Sequence, residues 1–379
     1  MRIAQVAPLY ERVPPRYYGG TERIVSYLTE ELIKRGHQLT LFASGDSLTR
    51  GHLIAPCVRS LRLDSRCEDR LAYHFLQLEQ VLQNAAAFDI IHFHIDYLNY
   101  PFSRRIGVPH LTTLHGRLDL PDLIPLYREF SDIPVVSISN AQQTPLPWIN
   151  WQETVYHGIP SDLYDFKKSP GNYLVFLGRI SPEKRVDRAI EIAKLARMKL
   201  KIAAKVDAND RQYMEAAIRP LLDHPLVEFI GEIGDEEKAE LLANAYALLF
   251  PIDWVEPFGL VMIEAMACGT PVIAFRRGSV PEIIDDGVTG FVVNDIDESL
   301  QALEQVNKLN RERCRKVFEA RFSAARMARD YLEIYYRLRE ARVRTKPRRI
   351  KELAKRSTLA GRADGETAHG DSLQASSKP

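Results

Sequence analysis

A chain of 379 residues is longer than a single hydrophobic core usually serves, so two globular domains are expected. With 45% hydrophobic and 27% charged residues balancing to a net charge of +1, the bulk of the chain should fold, and no nucleic-acid partner is expected. No run approaches the roughly 18 apolar residues of a membrane span, and MRIAQVAPLY lacks the basic start and apolar core of a signal peptide, so a cytoplasmic location is expected.

Strand-like and helix-like segments alternate along the chain, which argues for two doubly wound α/β units. In the first, strands are expected at Ile3–Ala7, Leu39–Ala43, Ile90–Phe93, Leu111–Leu114, Val135–Ile138 and Thr154–Tyr156. Between the first two lies the clearest helix, Gly20–Arg35, with Ile24, Tyr27, Leu28, Glu31, Leu32 and Arg35 at amphipathic spacing and Gly36 as its stop. The polar stretch SDLYDFKKSPG, Ser161–Gly171, should separate the halves. In the second unit, strands are expected at Tyr173–Leu177, Leu200–Ala204, Val227–Ile230, Ala247–Pro251 and Val272–Phe275. Its best helices are Asp187–Arg197, Asp235–Tyr246 and Phe258–Cys268, the last stopped by Gly269. The resulting division is 1–165, 166–322, a C-terminal helix over 323–340 and a tail over 341–379. Cys57, Cys67, Cys268 and Cys314 have neither CxxC nor Cys/His ligand spacing and read as free thiols.

Open parallel sheets bind ligands beyond the carboxyl ends of their strands, so residues just after strands are the functional candidates. In EPFGLVMIE, Glu256 lies in a loop and Glu264 inside a helix, a little over two turns on, which can bring both carboxylates to one rim. A carboxylate can accept from two neighbouring hydroxyls, as on a ribose or pyranose edge. Gly259 opens the helix, and the free N–H groups of the first turn, with the helix dipole, suit an anionic or hydroxyl-rich ligand. The plain alternative is a helix-start Glu256 and a solvated Glu264. Arg179 follows YLVFLG and Lys184 comes five residues later, together able to cradle a diphosphate. Alternatively they pair with Glu183 and Asp187 on the surface. Gly19 and Gly20 sit between the first strand and first helix, where backbone amides can approach a ligand. No GxGxxG follows that strand and no GxxxxGK[ST] occurs, which disfavours a dinucleotide oxidoreductase and a nucleoside triphosphatase. His115 follows the strand HLTTL. His92 and His94 alternate on DIIHFH and face one side of a strand, where with Asp96 they would line a cleft; a shared metal ion is disfavoured because no third ligand is evident.

The run EPFGLVMIEAMACGTPVIA resembles the E-x7-E signature of the family 4 retaining glycosyltransferases. YGGTERIVSYLTEELIKRGHQLTLFAS, TLHG at Thr113–Gly116 and LGRISPEKRVDRAIEIAK resemble the same family in the same order, so that the likeness covers most of residues 1 to 340. It implies the GT-B fold, two Rossmann-like domains facing across a cleft. The first would face the acceptor, and the second the sugar-nucleotide donor. Arg179 and Lys184 would contact the donor diphosphate, with Phe258, Gly259 and Leu260 beside it. Glu256 would hold the sugar, Glu264 the ribose, and His115 would stand beside the sugar. Gly19 and Gly20 would lie over donor phosphate and acceptor. Neither a cofactor nor a metal ion is implied; the donor is a nucleoside-diphosphate sugar, with UDP-glucose as the first choice, and the acceptor is an unidentified hydroxyl compound. Where the family commonly has Asn-Gly-Ile-Asp, this chain has His157-Gly158-Ile159-Pro160, which weakens the likeness at the hinge.

The resemblance also implies that Ala324–Arg339 returns to the first domain. Past it, Arg337–Arg356 is rich in Lys and Arg, a solvated basic stretch that offers weak contact with the inner face of a membrane. Residues after Ser357 have a disordered composition. A GT-B-shaped epimerase or phosphorylase and a non-catalytic sugar-nucleotide binding module remain open alternatives.

Overall fold

The computed structural model describes residues 1–342. Expectations for the basic stretch past Arg342 and for the tail lie outside the described residues. Both sheets fall within one compact unit, Met1–Ile334; residues 335–342 are helical and belong to a second unit.

The first sheet is formed by β1 (Arg2–Val6), β2 (Gln38–Phe42), β3 (His52–Ile54), β4 (Ile90–Phe93), β5 (His110–Thr113), β6 (Val135–Ser137) and β7 (Trp151–Thr154). The second is formed by β8 (Tyr173–Arg179), β9 (Lys199–Lys205), β10 (Val227–Gly231), β11 (Ala247–Phe250), β12 (Val272–Phe275) and β13 (Gly290–Val293). All pairings are parallel, in the orders β3-β2-β1-β4-β5-β6-β7 and β10-β9-β8-β11-β12-β13. Helices cover both faces, so β4, β11 and β12 are buried along their whole length; β11 and β12 read in sequence as short unbroken apolar runs, and β4 is broken only by His92.

Most elements stand within one to three residues of their expected bounds. Helix Gly20–Lys34 packs Ile24, Val25, Leu28 and Leu32 inward, and Val186–Leu195 does the same with Ala189, Ile190 and Ala193. Helix Asp235–Ala243 stops earlier than expected, because Tyr246 N–H already bonds Tyr173 O at 2.7 Å and leads into β11. The strand expected at Thr154–Tyr156 is a correction: β7 runs Trp151–Thr154, and Tyr156 belongs to the crossing between the sheets. At that crossing Ile159 bridges Ser323, Arg326 donates to Tyr156 O and His157 O, and Gly158 lies so close that a Cβ would meet Ser323 O at 2.3 Å. From 324 to 334 the chain is helical and returns to the first sheet, where Tyr331 Oη is 2.9 Å from Thr113 Oγ1. A second tie comes from Glu282, whose carboxylate accepts Asn140 N–H at 2.8 Å and Ala141 N–H at 2.7 Å.

Candidate active site

Strand order reverses between β1 and β4 and between β8 and β11, where the loops leaving neighbouring strands diverge and open a crevice. Loops from both crevices line one cavity of about 660 Å³.

Lys184 lies in the short turn Pro182–Lys184 after β8, and its Nζ meets Glu256 Oε2. Trp254 Nε1–H donates to the same oxygen at 2.9 Å, and the Trp254 ring centroid is 4.9 Å from the ammonium. Glu256 is only 7% exposed, so both donors matter to keeping its charge there. Its loop is held from beneath by the turn after β12. Gly278 has φ +52°, and a Cβ there would meet Glu256 O at 2.3 Å, while Ser279 N–H donates to that carbonyl at 3.0 Å. Gly278→Ala is therefore expected to cost about 3 kcal/mol, from left-handed strain plus the clash. Urea denaturation measures this, and a loss below about 1 kcal/mol would remove the role assigned to this glycine.

Glu264 lies on helix Leu260–Ala267, and its Oε1 receives Lys238 Nζ at 2.6 Å. Lys238 also reaches Asp235 at 3.2 Å, and Asp235 pairs with Arg23 of the first half. The two carboxylates expected on one rim do line one cavity, but each is matched to its own lysine. Gly259 caps the helix at φ 81°, where a Cβ would meet Met262 Cε at 2.7 Å. The first-turn N–H groups of Leu260 and Val261 have no helical acceptor and stand at the positive end of the helix. Arg179 ends β8 and faces Glu183 at 2.5 Å, Asp210 at 3.3 Å and Asp207 at 3.6 Å, so the plain pairing is present while the guanidinium still lines the cavity.

On the first-half wall, Gly19 has φ +153° and leaves no room for a Cβ against Pro15. Gly20 opens the first helix, and a Cβ there would be 3.3 Å from Leu260 Cδ1, so this loop and the Leu260 helix start lie against each other. Phe258 is buried edge-on to His157, with ring centroids 4.8 Å apart.

Gln5, His94, His115 and His157 form a continuous array. Gln5 Oε1 is 2.7 Å from His94 Nε2, His94 Nδ1 is 2.9 Å from His115 Nε2, and His115 stacks on His157 with centroids 5.3 Å apart. With Gln5 accepting from His94 Nε2–H, a neutral His94 has a bare Nδ1 that accepts from His115 Nε2–H. Burial pushes His115 down to about 3 and holds His94 and His157 well below the usual imidazole range, so the array is neutral at pH 7. Asp96 also lines the cavity, with the unusual φ of +50° for a non-glycine residue. Desolvation by the surrounding protein pushes its carboxyl up to about 6, opposed by the backbone N–H of His115.

His92 is a correction, since it does not reach the cavity. Its Nε2 is 2.7 Å from Thr113 Oγ1 and its ring lies 4.8 Å from that of Tyr331. It shares a strand face with His94, but the cavity opens only past the strand end, and His92 sits about 6.6 Å lower. Sequence reasoning missed Lys238, Trp254 and Gly278, and noted His157 only as a departure. Lys238 stood one turn after Asp235 on an expected helix, and Trp254 two residues before Glu256, which was the available signal. Among the described residues, no three or more His, Cys, Asp or Glu side chains are grouped to hold a metal ion, and no helix is long and apolar enough to cross a membrane.

Comparison with known proteins agrees with this geometry. The model for Glycosyltransferase Family 4 matches residues 18–151, and that for Glycosyl transferases group 1 matches residues 165–321. N-acetyl-alpha-D-glucosaminyl L-malate synthase of Bacillus anthracis is 26% identical over 363 residues, 84% of this chain and 94% of that protein. Among solved structures, sucrose-phosphate synthase from Thermosynechococcus elongatus is 18% identical with a TM-score of 0.72, over 90% of this chain and 100% of that one. HepE of Anabaena in complex with UDP-glucose is 19% identical with a TM-score of 0.67, over 88% and 99%. At these identities the structural likeness is one of fold, two doubly wound domains facing across a cleft.

Proposed function

The chain belongs to the family 4 glycosyltransferases of GT-B fold, and we propose that it moves a hexose from a nucleoside-diphosphate sugar to a hydroxyl acceptor, with retention and without a metal ion. The observation that carries this reading is the second-half wall, where Lys184, Arg179 and the first-turn amides of Leu260 and Val261 face one cavity with Glu256 and Glu264. The cations and amides suit a diphosphate, and two partly matched carboxylates suit the hydroxyls of a sugar and a ribose. UDP-glucose is the first choice of donor, supported by its complex with HepE.

In this reading the bond from the anomeric carbon to the phosphate oxygen breaks while the acceptor oxygen adds on the same face. The acceptor's proton passes to the departing phosphate, so no side chain is assigned as a base. The protein contributes charge stabilisation of the leaving group, positioning, and exclusion of water that would compete as acceptor. A cytoplasmic location, with weak membrane contact through the basic stretch, is part of the same reading.

The test is a panel of nucleoside-diphosphate sugars, with and without EDTA, read by nucleotide release and thermal shift. One donor should raise the melting temperature and be slowly hydrolysed whether or not EDTA is present. Glu264→Ala should abolish that shift, because it removes the ribose contact and leaves Lys238 facing only Asp235. Stabilisation by no donor would sink the transferase reading.

A further inference from the structure

The first-half wall of the cavity carries chemistry that the donor does not use, and its reading rests on the transferase assignment above. Within residues 1–334 four tyrosines are exposed, Tyr10 at 39%, Tyr17 at 56%, Tyr18 at 41% and Tyr97 at 37%, and all four line this one cavity. Tyr18 turns toward the second half, with its N–H 3.3 Å from Glu232 Oε1 and Lys205 Nζ 5.4 Å from its ring centroid. Tyr10 and Tyr97 instead stand on the loops that leave β1 and β4, at the first-half crevice. Aromatic faces gathered in a cavity serve a ligand that has an apolar face of its own, and a sugar ring offers one on its C–H side.

Charge on the same wall points the same way. The first-half cations lining the cavity are Arg23 and Arg62, and each is already matched: Arg23 by Asp235, Arg62 by Glu11 at 3.0 Å. Glu22 stands beside that second pair, its Oε1 accepting Glu11 N–H at 3.3 Å. Asp96 adds a further carboxyl, on a left-handed backbone with φ of +50°. Strained backbone of this kind persists where the surrounding structure over-determines it, and it gathers at functional sites. An acceptor bearing phosphate or carboxylate would find no unmatched cation among the described first-half residues lining the cavity, and would face the Asp96 carboxylate.

We propose that this wall selects an uncharged acceptor that carries its hydroxyls on a ring, a saccharide or other cyclic polyol. Tyr10 and Tyr97 pack against the ring face. Asp96 accepts a hydrogen bond from a hydroxyl next to the attacking one, which leaves the attacking proton free for the departing phosphate. Asp96 is thus a positioning residue.

The experiment uses the full chain with the donor that gives turnover, and acceptors in matched pairs: glucose against glucose 6-phosphate, methyl glucoside against glucuronate, inositol against inositol phosphate. Product mass and nucleotide release are followed. The neutral member of at least one pair should be preferred by tenfold or more in kcat/KM, and no anionic member should exceed its neutral partner. Tyr97→Ala should raise KM for the neutral acceptor tenfold with a smaller change in kcat. Glu11→Gln, which unmatches Arg62, should raise turnover of the anionic members. Preference for an anionic member, an unchanged KM in Tyr97→Ala, or transfer to none of the neutral rings while donor is bound would each overturn the proposal. Donor thermal shift in the same samples separates the two failures: without it the transferase reading falls, and with it only the acceptor class does.

Discussion

Lys184→Ala is expected to lower kcat/KM for transfer by about 100- to 1,000-fold, or roughly 3–4 kcal/mol in the barrier, the cost of losing one preorganised charge contact to a developing anion. The geometry makes the effect large because the lysine is prepared before donor arrives. Its ammonium is anchored on Glu256 and lies against the Trp254 ring, and its side chain is 18% exposed. Little reorganisation is then needed when negative charge grows on the leaving diphosphate. The same anchoring complicates the single variant, since Glu256 would keep only the Trp254 N–H and lose its counter-charge in a nearly buried place. A double variant, Lys184→Ala with Glu256→Gln, separates the two effects: stability should recover in part, while transfer stays low. Lys184→Arg should not restore full activity, because the longer planar guanidinium spreads its charge and cannot put it where the compact ammonium sits against Glu256. Nucleotide release with saturating acceptor is the readout. A loss under tenfold in Lys184→Ala would mean that the leaving-group charge is balanced elsewhere.

How much of this was legible in the sequence depends on whether the signal is local. The buried strands β4, β11 and β12 stand out because both faces are covered, so every residue in them is apolar except His92 of β4. Helix Arg70–Asn84 was not legible, because its pattern is inverted: Leu71, Phe75 and Leu76 are exposed while His74 and Gln77 are buried. Gln77 Nε2 spends its protons on Ala7 O and Phe42 O, a tertiary contact that no helical period announces. β3 is three residues long, too short for alternation to show. In the site, Arg179, Lys184, Glu256 and Glu264 were legible as candidates from their places after strands or on the next helix, and the family resemblance was what set them above the plain surface readings. Their partners were not, since Lys184 and Glu256 are separated by 72 residues and Lys238 and Glu264 by 26. His92 shows the opposite failure. Strand alternation places it correctly on the face of His94, yet alternation says nothing about where along the strand the cavity begins.

Between pH 7.5 and 5 the chain is expected to lose folding stability on the scale of several kcal/mol, a sizeable part of the margin of many proteins. The origin is the group of four imidazoles His92, His94, His115 and His157, which burial keeps from protonating in the folded chain. Their folded values lie below the unfolded value, so the unfolded chain binds more protons on acidification. Their stabilisation is complete above pH of about 6.5 and is lost as pH falls toward the folded values; for His115, held at about 3, the loss by pH 5 is about 2 kcal/mol. All four shifts have the same sign, so the losses run in the same direction. Two carboxyls facing the same cavity act in the other direction. Glu22 is pushed up to about 7 and gains roughly 2 kcal/mol over this range, while Asp96, at about 6, gains less because water reaches it. Urea midpoints at pH 7.5 and 5.0 measure the balance. His157→Asn removes one titrating ring from the array and is expected to shrink the pH-dependent loss, whatever it does to stability at pH 7.5. A midpoint that stays constant between the two pH values would overturn this account of the array from Gln5 to His157.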